Sequence, residues 1–111
     1  MESTPTVISL PGIKKERVVE EIRRIAQEDT SNVFFIDHAL MRMKERGITN
    51  RQALKVLRHG DLVDGPEWST KNERGWKCKF KRITAGECVY VVAKLIEREG
   101  SKCLVITVHG R

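Results

Sequence analysis

The chain has 111 residues, 40% hydrophobic and 32% charged, which is the size of one domain, too polar for a membrane protein and too apolar for a disordered one. Lysine and arginine outnumber aspartate and glutamate by 21 to 15, a formal net charge of +6 with a pI near 9.5. That balance favours nucleic acid or an acidic protein as partner without choosing between them.

Residues 1–12, MESTPTVISLPG, carry no basic stretch leading into a long apolar run, and the longest apolar stretch, Cys88 to Ala93, is far short of a membrane span. A cytoplasmic protein is expected. Pro11-Gly12 reads as a turn that separates a tail, with a short extended piece at Thr6 to Leu10, from a single α+β domain over 13–111. Within that domain Ile13 to Glu28 repeats Val18, Ile22, Ile25 and Ala26 at helical spacing, with its charged face read as solvated. The polar cluster Asp29 to Asn32 ends this helix, and Val33 to Ile36 then sends four apolar residues to the core.

A second helix is expected from Asp37, as N-cap, to Arg46, stopped by Gly47 in the left-handed conformation. On it His38, Arg42 and Arg46 recur every fourth residue and form one ridge, beside an apolar stripe of Ala39, Leu40 and Met43. Guanidiniums supply fixed charge and forked donors, and an imidazole moves protons near neutral pH, so the ridge suits a phosphodiester. Thr49-Asn-Arg-Gln52 is a capping box that opens a third helix, through about Arg58, closed by Gly60. His59 at its end reads as a favourable charge on the helix C-terminus.

After Gly60 the period changes from helical to alternating. Asp61 to Val63 reads as a short edge strand followed by an irregular loop through Gly75. Trp76 to Ile83, Cys88 to Ile96 and Lys102 to Val108 read as longer strands. The expected architecture is therefore N-terminal helices packed on one face of a three- to four-stranded antiparallel sheet. Ordinary hairpins place Ile83 opposite Cys88 and Ile96 opposite Lys102. In that register Trp76, Cys78, Phe80, Val91, Ala93, Leu95, Cys103, Val105 and Thr107 face the helices. Lys77, Lys79, Lys81, Tyr90 and Lys94 share the other face with Leu104, Ile106 and Val108, and His109 falls on the helix side.

Lys94 interrupts an apolar central strand, and because an unpaired buried ammonium would cost several kcal/mol, its face is read as open. Four lysines and a tyrosine on an open sheet can seat a phosphate backbone with a base stacked on the ring. The bland reading is that alternating lysines merely solubilise the face. The three cysteines, Cys78, Cys88 and Cys103, are widely spaced and lie apart in this register, so they read as reduced core residues and call for neither a disulfide nor zinc.

His38-Ala-x-x-Arg42-x-x-x-Arg46-Gly-Ile48, followed by the capping Thr49, a second helix and strands, resembles a family of small prokaryotic domains of unknown function. That family is associated with the RelE/ParE-like toxin superfamily (barnase/EndoU/colicin/RelE). The likeness extends over residues 33–108, with 13–32 as an added helix. It implies a bacterial toxin–antitoxin type system, with a metal-independent and cofactor-free endoribonuclease or a translation-targeting RNA-binding protein. Its partners would be RNA, at or away from the ribosome, and a cognate antitoxin. Carried over by position, His38 would be the acid/base group, and Arg42 and Arg46 would stabilise the transition state. The nucleic-acid-binding residues would be Lys77, Lys79, Lys81, Tyr90 and Lys94. Two other classes remain open. One is a non-catalytic module that binds RNA or protein. The other is a helix-turn-helix-like DNA reader across residues 38–59, with Asn50, Arg51, Gln52, Lys55 and Arg58 exposed.

Overall fold

The computed structural model describes residues 13–110, so the tail at 1–12, with its expected turn and extended piece, and Arg111 lie outside the described residues. Helix α1 (Lys15–Glu28) buries Val18, Ile22, Ile25 and Ala26 completely. A 3₁₀ turn (Thr30–Asn32) leads into β1 (Val33–Phe35). Helices α2 (Asp37–Arg46) and α3 (Asn50–His59) follow, then β2 (Asp61–Ser69), β3 (Gly75–Thr84), β4 (Glu87–Glu97) and β5 (Ser101–Gly110). No helix among the described residues is long and apolar enough to cross a membrane.

The fold is α+β, with three helices preceding most of a sheet of order β1-β5-β4-β3-β2. The sheet has five strands and is mixed, because β1 pairs parallel with β5 while every other pair is antiparallel. Two strands differ from the expectation, one added and one lengthened. Val33 to Phe35 is not merely a core-bound segment but an edge strand, with Phe34 37% exposed. The stretch after Asp61 stays extended to Ser69, shifting register twice against β3 instead of dissolving into a loop.

Local signals act as their chemistry dictates. Gly47 takes φ 69° and caps α2, a conformation that a side chain would strain. Thr49 accepts from the Gln52 N–H at 3.1 Å, and the Gln52 side chain accepts from the Thr49 N–H at 2.9 Å, completing the capping box. Asp37 departs from expectation. It is the first helical residue rather than the cap, Ile36 holds the cap position, and no side chain caps α2. Leu40 is 43% exposed, so the apolar stripe of α2 narrows to Ala39 and Met43.

Both hairpin registers hold, with Ile83 opposite Cys88 and Ile96 opposite Lys102. One feature of β5 breaks the simple alternation. Val92 pairs with Thr107 but Ala93 pairs with Val105, leaving Ile106 as an extra residue in a bulge. The phase of the strand changes there. Val108 rather than Thr107 enters the core, opposite Val91, and His109 emerges on the face away from the helices, opposite Tyr90. This overturns the expected placement of all three.

The core lies between the helices and one face of the sheet, where Ala39, Met43, Ala53, Val56 and Leu57 meet Phe80, Val91, Ala93, Leu95 and Val105. The face of α1 read as solvated carries a structural cation. Arg23 donates from Nη1 to the carbonyls of Leu57 (3.1 Å) and Arg58 (3.0 Å) and from Nη2 to that of Gly60 (2.8 Å), with its guanidinium 5.4 Å from the Phe80 ring centroid. These are the orphan carbonyls at the end of α3. Arg58 reciprocates, donating from Nε to the Ala26 carbonyl at 2.7 Å near the end of α1.

Hydrogen bonds to charged groups contribute about 1.5–3 kcal/mol each at most, and Arg23 makes three that share one guanidinium. Arg23→Ala is therefore expected to lower stability by about 2–3 kcal/mol in urea denaturation, whereas Arg24→Ala, which removes an exposed pair with Glu21, should cost under about 1 kcal/mol. Equal effects would contradict the anchoring role. Cys78 and Cys103 are free and buried, and burial pushes both thiols up from 9.0 to about 12. Their protonated state in the fold contributes stability that is complete below about pH 9 and is lost as pH rises towards about 12. Native thiol labelling at pH 8 is expected to modify half-buried Cys88 and spare the other two until denaturant is added.

Candidate functional site

The two groups of residues singled out by the sequence lie on different layers. His38, Arg42 and Arg46 are all exposed on α2, whose buried residues Ala39 and Met43 belong to the core on the helix side of the sheet. None of the three forms an ion pair among the described residues. Lys77, Lys79, Lys81, Tyr90 and Lys94 come together on the opposite face. There, Lys77 is opposite Lys94 and Lys81 is opposite Tyr90 across the β3–β4 pair.

The bulge adds a member that the alternation concealed. His109 stacks on Tyr90 with ring centroids 4.9 Å apart and planes 8° from parallel. From the other flanking strand, the Lys79 ammonium lies 5.1 Å from the Tyr90 centroid. Because β3 and β5 flank β4 on opposite sides, the two neighbours take up both faces of the phenol ring. Lys81, Tyr90 and His109 thus form one line across three strands, an arrangement of cation, phenol and imidazole that can hold a phosphate and move a proton.

An acidic row borders this strip. Asp61 pairs with Lys81, Asp64 with Lys79 and Glu67 with Lys77, so each lysine of β3 has a carboxylate opposite it on the edge strand. Asp64, Glu67, Lys77, Lys79 and Val92 line a small cleft of about 160 Å³ between them. Reading residues 64–69 as a loop hid this row, since the register shifts of β2 space its acids three apart instead of two.

Lys94 differs from the other lysines. Only 3% of it is exposed, and its Nζ donates to the carbonyls of Lys71 (2.8 Å) and Glu73 (2.7 Å). The β2–β3 connection therefore folds back over this end of the face, which is covered rather than open. Gly75 permits the approach, because a Cβ there would meet the Leu95 carbonyl at 2.4 Å and Lys94 Cγ at 2.9 Å. Burial, reinforced by nearby Lys77 and opposed by Glu73, holds the Lys94 ammonium below the usual lysine range. Arg98 completes the end of the face, binding Glu73 at 2.6 Å and lying 5.8 Å from the Phe34 centroid. No group of three or more His, Cys, Asp or Glu side chains among the described residues is arranged to hold a metal ion.

Residues 35–109 match a family model described as a domain of unknown function (DUF4258). No curated protein and no solved structure matches the chain. The match runs from the end of β1 to the last residues of β5 and takes in α2, α3 and the four antiparallel strands, so α1 precedes it. Covering well over half of the sequence, it shows that the chain belongs to the DUF4258 family.

Proposed function

We propose that the sheet face away from the helices binds single-stranded RNA and that the protein is a toxin-like, metal-independent endoribonuclease. The observation that carries this reading is the line Lys81, Tyr90 and His109 across three paired strands, continued along β3 by Lys79 and Lys77. Alternate residues of a strand stand about 6.6–6.8 Å apart, so the lysines offer a row of evenly spaced cations to a phosphate backbone. The acids of β2 mark the outer border of that row and direct the backbone towards β4 and β5. The motif likeness to RelE/ParE-type toxins supports the ribonuclease class and the lysine face, although it gives the acid/base role to His38 rather than to His109.

Cleavage needs the 2′-hydroxyl to attack the adjacent phosphorus while the 5′-oxygen leaves. A base must take the first proton, an acid must supply the second, and cations must meet the charge that develops on the phosphorane. His109 is the imidazole on this face, so it takes the proton from the 2′-hydroxyl, and the Lys81 ammonium on the same line gives one of its protons to the departing 5′-oxygen. Tyr90 positions the imidazole by stacking, and Lys79 and Lys81 bring positive charge. The ridge of His38, Arg42 and Arg46 lies on the other layer. With Leu40 and Met41 exposed beside its arginines, it is the surface assigned to an acidic protein partner, such as the cognate antitoxin that the likeness implies.

The helix-turn-helix alternative loses Arg58, whose guanidinium is engaged by the Ala26 carbonyl. Asn50, Arg51 and Lys55 remain exposed on α3. Duplex DNA binding that depends on Arg51 and Lys55 would favour that alternative.

Fluorescence anisotropy with a labelled single-stranded RNA is expected to give an affinity that falls with salt. Replacing Lys77, Lys79 and Lys81 together by Gln should flatten the logarithmic salt slope by about 2, since each lost phosphate contact on a single strand removes about 0.7. An unchanged slope would remove the face from consideration. Expression is further expected to arrest growth and fragment RNA, with both effects lost in His109→Ala and kept in His38→Ala. The opposite pattern would assign the chemistry to the α2 ridge.

A further inference from the structure

Where a base can sit is restricted by the occupied faces of Tyr90, since His109 covers one and Lys79 lies over the other. An RNA held along the β3 lysines must therefore place its bases elsewhere. The row ends at Lys77, which is directly opposite Lys94. Lys94 is part of the wall of a cleft of about 490 Å³ whose apolar surface comes from Ile36, Leu104 and Ile106 and whose rim carries Asn72, Glu73 and Arg98.

The charges of this cleft are incompletely matched. Lys94 donates to two neutral carbonyls, and the nearby carboxylate of Glu73 is already bound to Arg98. With Lys77 adjacent, the cleft presents excess positive charge above aliphatic walls. Such a site suits a ligand with a flat, largely apolar body and an anionic group. The Asn72 amide and the Glu73 carboxylate at its rim add donors and acceptors of the kind that meet a base edge. Ile106 lies on this face beside Leu104, as simple alternation places it, and the bulge changes the phase only of the residues beyond it.

We propose that this cleft seats one unstacked nucleobase of a single-stranded RNA whose backbone runs along Lys81, Lys79 and Lys77, with Ile36, Leu104 and Ile106 against the base and Arg98 at its phosphate. The proposal rests on the RNA reading of the sheet face. It divides that face into a backbone strip with the proton-transfer group at one end and a base seat at the other. The lid of the seat is the β2–β3 connection, held by Lys94 and Arg98.

The test compares a short single-stranded RNA with an abasic ribose-phosphate oligomer of equal length and charge, using anisotropy and methyl NMR on the full chain. A seated base is expected to make the RNA bind about tenfold more tightly than the abasic oligomer, because it takes ring surface out of water against three aliphatic side chains. The Ile36 and Ile106 δ1 methyl signals should shift with the RNA and not with the abasic oligomer. Leu104→Ser should remove the tenfold difference and leave abasic binding unchanged. Ile106→Ser, tested separately because it alters the bulge, should act in the same direction. Equal binding of the two oligomers by the wild-type protein, with unshifted methyls, would overturn the base seat and leave the RNA reading intact. Failure of both oligomers to bind would overturn that reading and the seat with it.

Discussion

The register of β4 between its two antiparallel neighbours is the constraint on which the rest of the molecule depends. It pairs with β3 without interruption from Gly75 opposite Ile96 to Thr84 opposite Glu87. A slip of one residue would send Phe80, Val91 and Ala93 outward and bring Lys79 and Lys81 into the core, so burial on one face fixes the register of the whole sheet. The lysine row is a by-product of that same constraint. Its spacing and its direction follow from where the apolar residues must go.

Against β5 the constraint is met differently, and the difference places His109. Strict alternation would bury Thr107 and His109 and expose Val108. One extra residue at Ile106 exchanges these outcomes, since Val108 then closes the core completely, opposite Val91. Nothing in Leu104-Val-Ile-Thr-Val108 announces the bulge. Each of these residues except Thr107 is apolar and would suit either face, and Thr107 is itself a good strand former. The elements that were legible are those with local chemistry, such as the capping box at Thr49 and Gln52, the left-handed Gly47 and the clean alternation of β3. The parallel pairing of β1 with β5, the role of Arg23 and the bulge all depend on partners far away in the chain, which a local pattern cannot name.

Lys94 illustrates how a sound energetic premise can lead to the wrong location. An unpaired ammonium inside a sheet is costly, and openness to water is one way to avoid the cost. The chain uses the other way, bringing two carbonyls of residues 71 and 73 onto the ammonium. The acceptors belong to a polar connection that reads as a solvated loop. One buried cation therefore organises a loop and gives the sheet face two unlike ends, one covered and partly apolar, the other exposed and basic.

The layers also limit how the candidate residues can cooperate. The α2 ridge and the sheet face are separated by the full thickness of the core, in which Ala39 and Met43 of α2 meet the strands. A single phosphodiester cannot be held by Arg42 and Lys81 from opposite sides of such a layer. Either surface can serve RNA, but each must then carry its own positive charge and its own proton-transfer group. The sheet face has both, in Lys79, Lys81 and His109, and the ridge has both in Arg42, Arg46 and His38. What separates them is their surroundings. His109 is fixed by a stacked phenol between paired strands, whereas His38 stands exposed near the start of a helix that no side chain caps. Under the proposed ribonuclease reading, preorganisation favours the sheet over the ridge. The ridge, exposed and bordered by Leu40 and Met41, has the composition of a surface that a second protein covers.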